Sequence, residues 1–225
     1  MIRQKVAMVQ EKIRLACVRA QRQPREITLI AVTKGRSIEE VQEVTQAGVT
    51  DIGENKIQEA RQHYAQCHHL MRLRWHMIGH LQTNKVDDCV KMFDLIHSVD
   101  SVHLASEIDK EASKIQKIQE VLIQVNISAE ETKYGFAPQA VGEALKEIEM
   151  LKNVSVNGLM AIAPMVDTPQ KVRPYFRDLR QLRDSLSQKS VHKLSILSMG
   201  MSGDFEAAIL EGATMVRLGR ALFEG

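Results

Sequence analysis

Eight short runs of apolar, often β-branched residues punctuate this chain, each separated from the next by a stretch with helical spacing, and few folds accept that rhythm. The runs are Ile27 to Thr33, Thr50 to Gly53, Trp75 to Ile78, Leu95 to Val99, Val121 to Ile127, Val154 to Ala161, Leu194 to Met199 and Thr214 to Leu218. Between them, helical patterns run over Ser37 to Ala47, Lys56 to about Cys67, Thr83 to Met92, Ser101 to Ile118, Pro138 to Leu151, Thr168 to Ser187 and Ser202 to Leu210. Several open on Ser or Thr ahead of acidic residues, as in Ser37-Ile38-Glu39-Glu40, which suits an N-cap and a negative first turn. Gly48 and Gly212 suit C-terminal caps.

Strands that alternate with helices pair in parallel through right-handed crossovers. Eight such units predict an α/β protein, a closed (β/α)8 TIM barrel. The alternative is an open doubly wound sheet, yet Thr33-Lys34-Gly35-Arg36 follows the first run where a Gly-x-Gly-x-x-Gly dinucleotide turn belongs. Ahead of the barrel, Ile2, Val6, Val9, Ile13 and Ala16 or Cys17 recur at helical spacing, so an extra amphipathic helix is expected from residue 2 to about residue 21. No Pro, Gly or Ser-rich linker divides the chain. Residues 1–225 therefore read as one domain, with the helix in 1–24 and the barrel in 25–225.

Thirty basic against 28 acidic residues leave a net charge of +2, which gives no electrostatic argument for a nucleic-acid or membrane partner. No apolar run nears the roughly 20 residues that span a bilayer. The start, Met1-Ile2-Arg3-Gln4-Lys5, leads into charged amphipathic sequence without an apolar signal core, so secretion is not expected. Cys17, Cys67 and Cys89 are odd in number and widely spaced, which argues for reduced thiols and a cytoplasmic setting. Cys67-His68-His69 has the residue types of a metal site, but it sits at a polar helix end without partners at ligand spacing and reads as surface.

In a barrel of this kind the chemistry gathers at the carboxyl ends of the strands. Those positions are Lys34, Glu54 and Asn55, His80, Ser98, Asn126, Met160, Ser198 and Arg217. A Lys at the end of the first strand is expected over the mouth, partly desolvated, where a neutral amine can attack a carbonyl and form a Schiff base. A solvated Lys opening a loop is the plainer reading. Ser198-Met199-Gly200-Met201-Ser202-Gly203-Asp204 and Leu218-Gly219-Arg220 follow the seventh and eighth strands, where backbone amides often hold a phosphate. Tight turns and an N-cap account for them equally well. Barrel closure brings Arg217 beside the first strand, so Arg217 and Lys34 can face one ligand, and an Arg there suits a carboxylate, a phosphate or a ring nitrogen. A surface ion pair is its alternative, and His80 either orients a ligand or caps a helix.

A mouth Lys, two phosphate turns and an Arg on the last strand together suggest pyridoxal phosphate. The chain also resembles the pyridoxal phosphate homeostasis proteins, the YggS/PROSC family, whose barrel is similar to the N-terminal domain of alanine racemase. The resemblance rests on Ala31-Val32-Thr33-Lys34, Gly53-Glu54-Asn55, the run from Trp75 to Lys85, Val125-Asn126-Ile127 with Lys133-Tyr134-Gly135, Gly158-Leu159-Met160, Leu197 to Asp204, and Val216-Arg217-Leu218-Gly219. These stretches span nearly the whole chain. The resemblance implies that Lys34 carries the cofactor as an internal aldimine. It implies that Ser202 with the turn from Leu218 to Arg220, including Gly219, holds the phosphate, together with the Met199-Gly200 stretch. It further implies that Arg217 faces the pyridine nitrogen and that Asn55, His80, Met160 and Ser198 line the ring. Arg220 stands where many relatives have Thr, so any hydroxyl contact there passes to a backbone amide.

Carbanion chemistry on this cofactor usually needs a partner that keeps the ring nitrogen protonated, and an Arg, itself always protonated, does not serve. Alanine racemases work with such an Arg but add a second acid/base from another domain, and no second domain is expected here. Tyr64, Tyr134 and Tyr175 fall in expected helices or a loop. The expected function is therefore cofactor carriage and homeostasis by a cytoplasmic monomer with little or no turnover, with apo-enzymes as transient recipients. A racemase on the same cofactor and a cofactor-free Schiff-base aldolase are the two alternatives.

Overall fold

The computed structural model describes the chain except for residues 68–72, 129, 131, 132, 165, 189, 191, 192 and 225, so His68 and His69 lie outside the described residues. Eight parallel strands close into a barrel in sequence order: β1 Thr28–Val32, β2 Asp51–Glu54, β3 Arg74–Met77, β4 Leu95–Val99, β5 Gln119–Val125, β6 Val154–Ala161, β7 Ile196–Ser198 and β8 Met215–Leu218. β8 returns to β1 with Ile30 opposite Arg217. The expected barrel, with its preceding helix, is what the chain forms.

The helices are α1 Ile2–Arg19, α2 Ile38–Gln46, α3 Ile57–Cys67, α4 Val86–Met92, α5 Val102–Lys114, α6 Val141–Ile148, α7 Pro169–Ser187, α8 Phe205–Leu210 and a short α9 Arg220–Phe223. Ser37 caps α2 as anticipated: its Oγ accepts from Glu40 N at 3.3 Å while Glu40 Oε2 accepts from Ser37 N at 2.9 Å. Gly48 and Gly212 end their helices with φ of +96° and +101°. α5 stops four residues short of the expected Ile118 because Gln116 turns to φ 54° and Lys117 leaves the helix, its Nζ donating to the Val90 and Phe93 carbonyls at the end of α4. The Thr83 and Pro138 ends wind as 3-10 turns before α4 and α6 begin.

Alternation along the strands sorts the side chains. Ala31, Ile52, Trp75, Ile96, Leu159, Leu197 and Val216 point outward and join the helices in the main apolar layer. Ile30, Leu95, Leu122, Met160 and Met215 form a separate cluster inside the barrel. Each such fully buried side chain contributes about 1.5–3 kcal/mol. The inner face also carries buried His76, His97, Ser198 and Arg217. α1 packs along the side of the barrel against α2, α8 and α9. Among the described residues no helix is long and apolar enough to cross a membrane.

Candidate cofactor site

At the mouth, the loops after β1, β7 and β8 enclose a cavity of about 360 Å³. Lys34, Ser202, Arg217, Gly219 and Arg220, drawn from both ends of the sequence, all line it, and so do Arg36 and Glu224. The size falls at the lower end of small-molecule sites. Lys34 itself is exposed, not partly desolvated as expected, because the turn from Thr33 to Arg36, closed by Arg36 N donating to Thr33 O at 3.0 Å, carries it onto the cavity rim.

That turn is clamped from below. Glu54 points outward between the barrel and α3, not into the mouth, and accepts from Thr33 Oγ1 at 2.5 Å. His63 on α3 donates from Nδ1 to Glu54 Oε1 at 2.6 Å and from Nε2 to the Arg36 carbonyl at 3.1 Å. Both partners are acceptors, so the ring carries both protons and a positive charge. Its hydrogen bond to Glu54 raises the His63 pKa despite partial burial. Glu59 Oε2 accepts from Gly35 N at 2.9 Å. Residues on each side of Lys34 are thus held by β2 and α3.

After β7 the chain turns sharply at Gly200, whose φ is +93° and where an added Cβ would come 2.6 Å from Ala208 Cβ. Asp204 Oδ1 accepts from Met201 N at 2.5 Å, and Ser202 Oγ accepts from Ala221 N at 3.1 Å. The second contact ties the loop after β7 to α9, so the two expected anion turns form one structure. The Asp204 carboxyl is pushed up by burial, although Met201 N and Arg217 act against this.

Arg217 lies beneath these turns, 4% exposed. Its Nη1 donates to Ser198 Oγ at 2.6 Å and its Nη2 to the Ala161 carbonyl at 2.9 Å. Burial pushes its pKa down to about 10, with Asp204 acting in the opposite direction, so the guanidinium stays charged at neutral pH. Behind Ser198 lie two buried histidines: His97 Nδ1 is 2.8 Å from Ser198 Oγ, His76 Nδ1 is 3.0 Å from His97 Nε2, and His76 Nε2 is 2.9 Å from Asp51 Oδ1.

The other sequence candidates are distributed more widely. Met160 packs inside the barrel, and Met199 points outward into the main apolar layer, so the side chain of Met199 is turned away from the mouth. Gly200 offers its carbonyl to Arg217 N at 3.0 Å. Asn55 follows β2 with its Oδ1 buried and, among the described residues, without a partner, a group that a bound ring substituent would satisfy. Asn126 closes its own loop by donating to the Glu130 and Lys133 carbonyls. His80 hydrogen-bonds Asp100 at 3.1 Å and stacks on Tyr134 with ring centroids 3.8 Å apart, over the side of the mouth away from β1. Ser98 is buried without a partner among the described residues, and in β4 it is His97 that reaches the polar interior. Asp51, His76, His97, His63, Arg36 and Tyr134 were absent from the sequence candidates. Asp51, His76 and His97 do carry a signal, a polar side chain at an inward position of an apolar strand.

An amine at the end of the first strand, an Arg on the last and one joined anion turn define a class, the alanine racemase N-terminal domain family, whose sequence profile matches residues 9–225. Within it, the pyridoxal phosphate homeostasis protein of Aquifex aeolicus is 45% identical over 220 residues, covering 98% of this chain and 96% of that one. The chain belongs to the family of pyridoxal phosphate homeostasis proteins. Of the solved structures, PipY of Synechococcus elongatus with pyridoxal phosphate bound matches with a TM-score of 0.86 and 34% identity, covering 99% of this chain and 100% of that one. Alanine racemase of Clostridium difficile matches with a TM-score of 0.76 at 17% identity, covering 99% of this chain and 56% of that one, which is a likeness of fold alone.

Proposed function

We propose that this chain binds pyridoxal phosphate at the barrel mouth through a covalent bond to Lys34 and acts in the homeostasis of the cofactor. The observation that carries this is the single cavity lined by Lys34, Ser202, Arg217, Gly219 and Arg220. The bound cofactor supplies an electrophilic aldehyde carbon and an electron-withdrawing ring. Ser202, already accepting from Ala221 N, has its own O–H left to donate to a phosphate oxygen. The amides of the turns at Ser202 and at Gly219–Arg220 complete that side, and Arg217 turns its charge toward the ring nitrogen. Asn55, Ser198, His80 and Met160 border the ring, and Met199 and Gly200 contribute backbone only.

The same geometry favours carriage over turnover. Arg217 has no proton to share with the ring nitrogen that it would not have to recover at once. Tyr64 packs on Trp75 and Tyr175 lies in α7, which leaves Tyr134, stacked on His80, as the phenol at the mouth among the described residues. The exposed rim position of Lys34 lets an incoming amine reach its bond to the cofactor, which suits transfer to apo-enzymes. We infer a cytoplasmic, monomeric protein. Its three cysteines are free and buried, in keeping with a reducing setting.

The test is direct. Purified protein mixed with pyridoxal phosphate is expected to turn yellow and to gain the cofactor's mass after borohydride reduction, and Lys34→Ala is expected to remain folded and gain none. Cofactor mass retained by Lys34→Ala refutes the attachment, and a colourless parent with no mass gain refutes the cofactor.

A further inference from the structure

A line of hydrogen bonds crosses the barrel interior from its foot to its mouth. Asp51 opens β2 and lines a second cavity, of about 670 Å³, beneath α1, while Arg217 lines the mouth. Between them stand His76, His97 and Ser198, all buried, linked at 2.9, 3.0, 2.8 and 2.6 Å. We propose that Asp51, His76 and His97 are positioning residues for Arg217, forming a one-directional chain that fixes how the guanidinium meets the bound cofactor ring.

The two ends set the direction. A guanidinium only donates, so Arg217 Nη1 must give its hydrogen to Ser198. An ionised carboxylate only accepts, so His76 must donate from Nε2 to Asp51. Burial alone would raise the Asp51 carboxyl, but the bonds from His76 and Thr50, with the nearby Arg74, hold it below the ordinary range. An uncharged His76 then accepts at Nδ1, His97 donates from Nε2 and accepts at Nδ1, and the Ser198 hydrogen goes to His97. Every group is used once. The opposite arrangement needs a charged His76, which would turn His97 around, take away the acceptor for the Ser198 hydrogen and put a second cation into an interior with one carboxylate at its foot. Burial likewise pushes His97 well below its ordinary pKa.

Links that all point one way strengthen each other in a low-dielectric interior. Among the described residues Arg217 has no ion pair, and Asp204 acts on its charge without bonding to it. The chain is therefore what relays the Asp51 charge to the mouth, and it leaves the remaining N–H groups of Arg217 in one orientation. This rests on the reading of the mouth as a pyridoxal phosphate site.

Nitrogen-15 NMR of histidine-labelled protein tests the chain without cofactor. At pH 7 both His76 and His97 are expected to be uncharged with the proton on Nε2, and both are expected to shift when pyridoxal phosphate binds although neither lines the mouth cavity. Asp51→Asn keeps an acceptor and removes the charge, and His97→Phe cuts the chain while keeping bulk. Each is expected to weaken pyridoxal phosphate about tenfold and to move the absorption maximum of the bound cofactor. A structural role alone would lower the melting temperature and leave that maximum unchanged. A charged or Nδ1-protonated His97, or parent-like affinity and absorption in Asp51→Asn, overturns the proposal. If His97→Phe fails to fold, Ser198→Ala provides the same readouts. Failure of the parent to bind pyridoxal phosphate overturns the functional reading and, with it, the role of the chain, whereas the tautomers separately decide its direction.

Discussion

The Arg217 guanidinium and the Ser198 hydroxyl meet at 2.6 Å inside the barrel, one residue from the end of β8 and the other from the end of β7. In the proposed binding mode Arg217 faces the ring nitrogen, where many catalysts of carbanion chemistry hold an acid. A permanently charged donor there binds an unprotonated ring nitrogen well and shares no proton with it.

Proton exchange at the substrate Cα should accordingly be slow. L- and D-alanine incubated with the loaded protein in deuterated buffer are expected to keep their Cα hydrogens on the timescale of enzymes, on the order of 1 to 1,000 events per second. Exchange at such a rate, followed by proton NMR, would favour the racemase reading and point to Tyr134 as the second acid/base.

Ser202→Ala removes a hydroxyl that both joins the two turns and is free to donate to phosphate. The loss of a charge-assisted hydrogen bond of about 1.5–3 kcal/mol predicts roughly 10- to 100-fold weaker cofactor binding, measured by absorbance titration. Pyridoxal without its phosphate is expected to bind poorly to the parent. Equal affinity for the two forms would remove the phosphate from the argument.

His63 beneath the Lys34 turn makes stability depend on pH. Its folded pKa is raised by Glu54, so its contribution is complete below the ordinary value of about 6.5 and is lost as pH rises through the raised value. His63→Ala leaves the Glu54 carboxylate buried without its cation, a loss of about 3–5 kcal/mol. Thermal melts from pH 5 to 9 are expected to fall on the alkaline side for the parent more than for the variant. Matching slopes would contradict an imidazolium at this position.

Glu211, 3% exposed, accepts from Arg173 Nε at 2.7 Å and Arg177 Nη2 at 3.2 Å on α7. Burial pushes its pKa upward, but the two guanidinium groups outweigh this and hold it below the ordinary value. Its contribution is therefore present above an ordinary glutamate pKa near 4.5 and lost as pH falls through the lowered value. Because the arginines are about half exposed, Glu211→Gln is expected to cost only about 1–2 kcal/mol in urea unfolding at pH 7. The difference from the parent should shrink at pH 3, and a constant difference would argue against an ion pair.

The barrel is written in local pattern. Alternating strand and helix periods, with Ser37 and Gly48 at a helix's two ends, are local properties of neighbouring residues, and eight such units close in only a few ways. Lys34, Ser202 and Arg217 were legible for the same reason, since a strand's end marks the mouth whatever lies across it. Which side chains meet is fixed only when the sheet closes. The link between His97 and Ser198 spans 101 residues, and the register that brings them together depends on strand stagger and on an irregularity between Ile96 and Val99. The list of strand ends takes Ser98, whereas His97, one residue earlier, is the side chain of β4 that bonds across the interior. Parity likewise decided Glu54, which a reading of strand ends assigned to the mouth, and Met199, which the resemblance placed with the phosphate turn; the fold turns both outward. Periodicity reports which residues share a face; a polar partner across the barrel is chosen by distances that exist only once the sheet has closed.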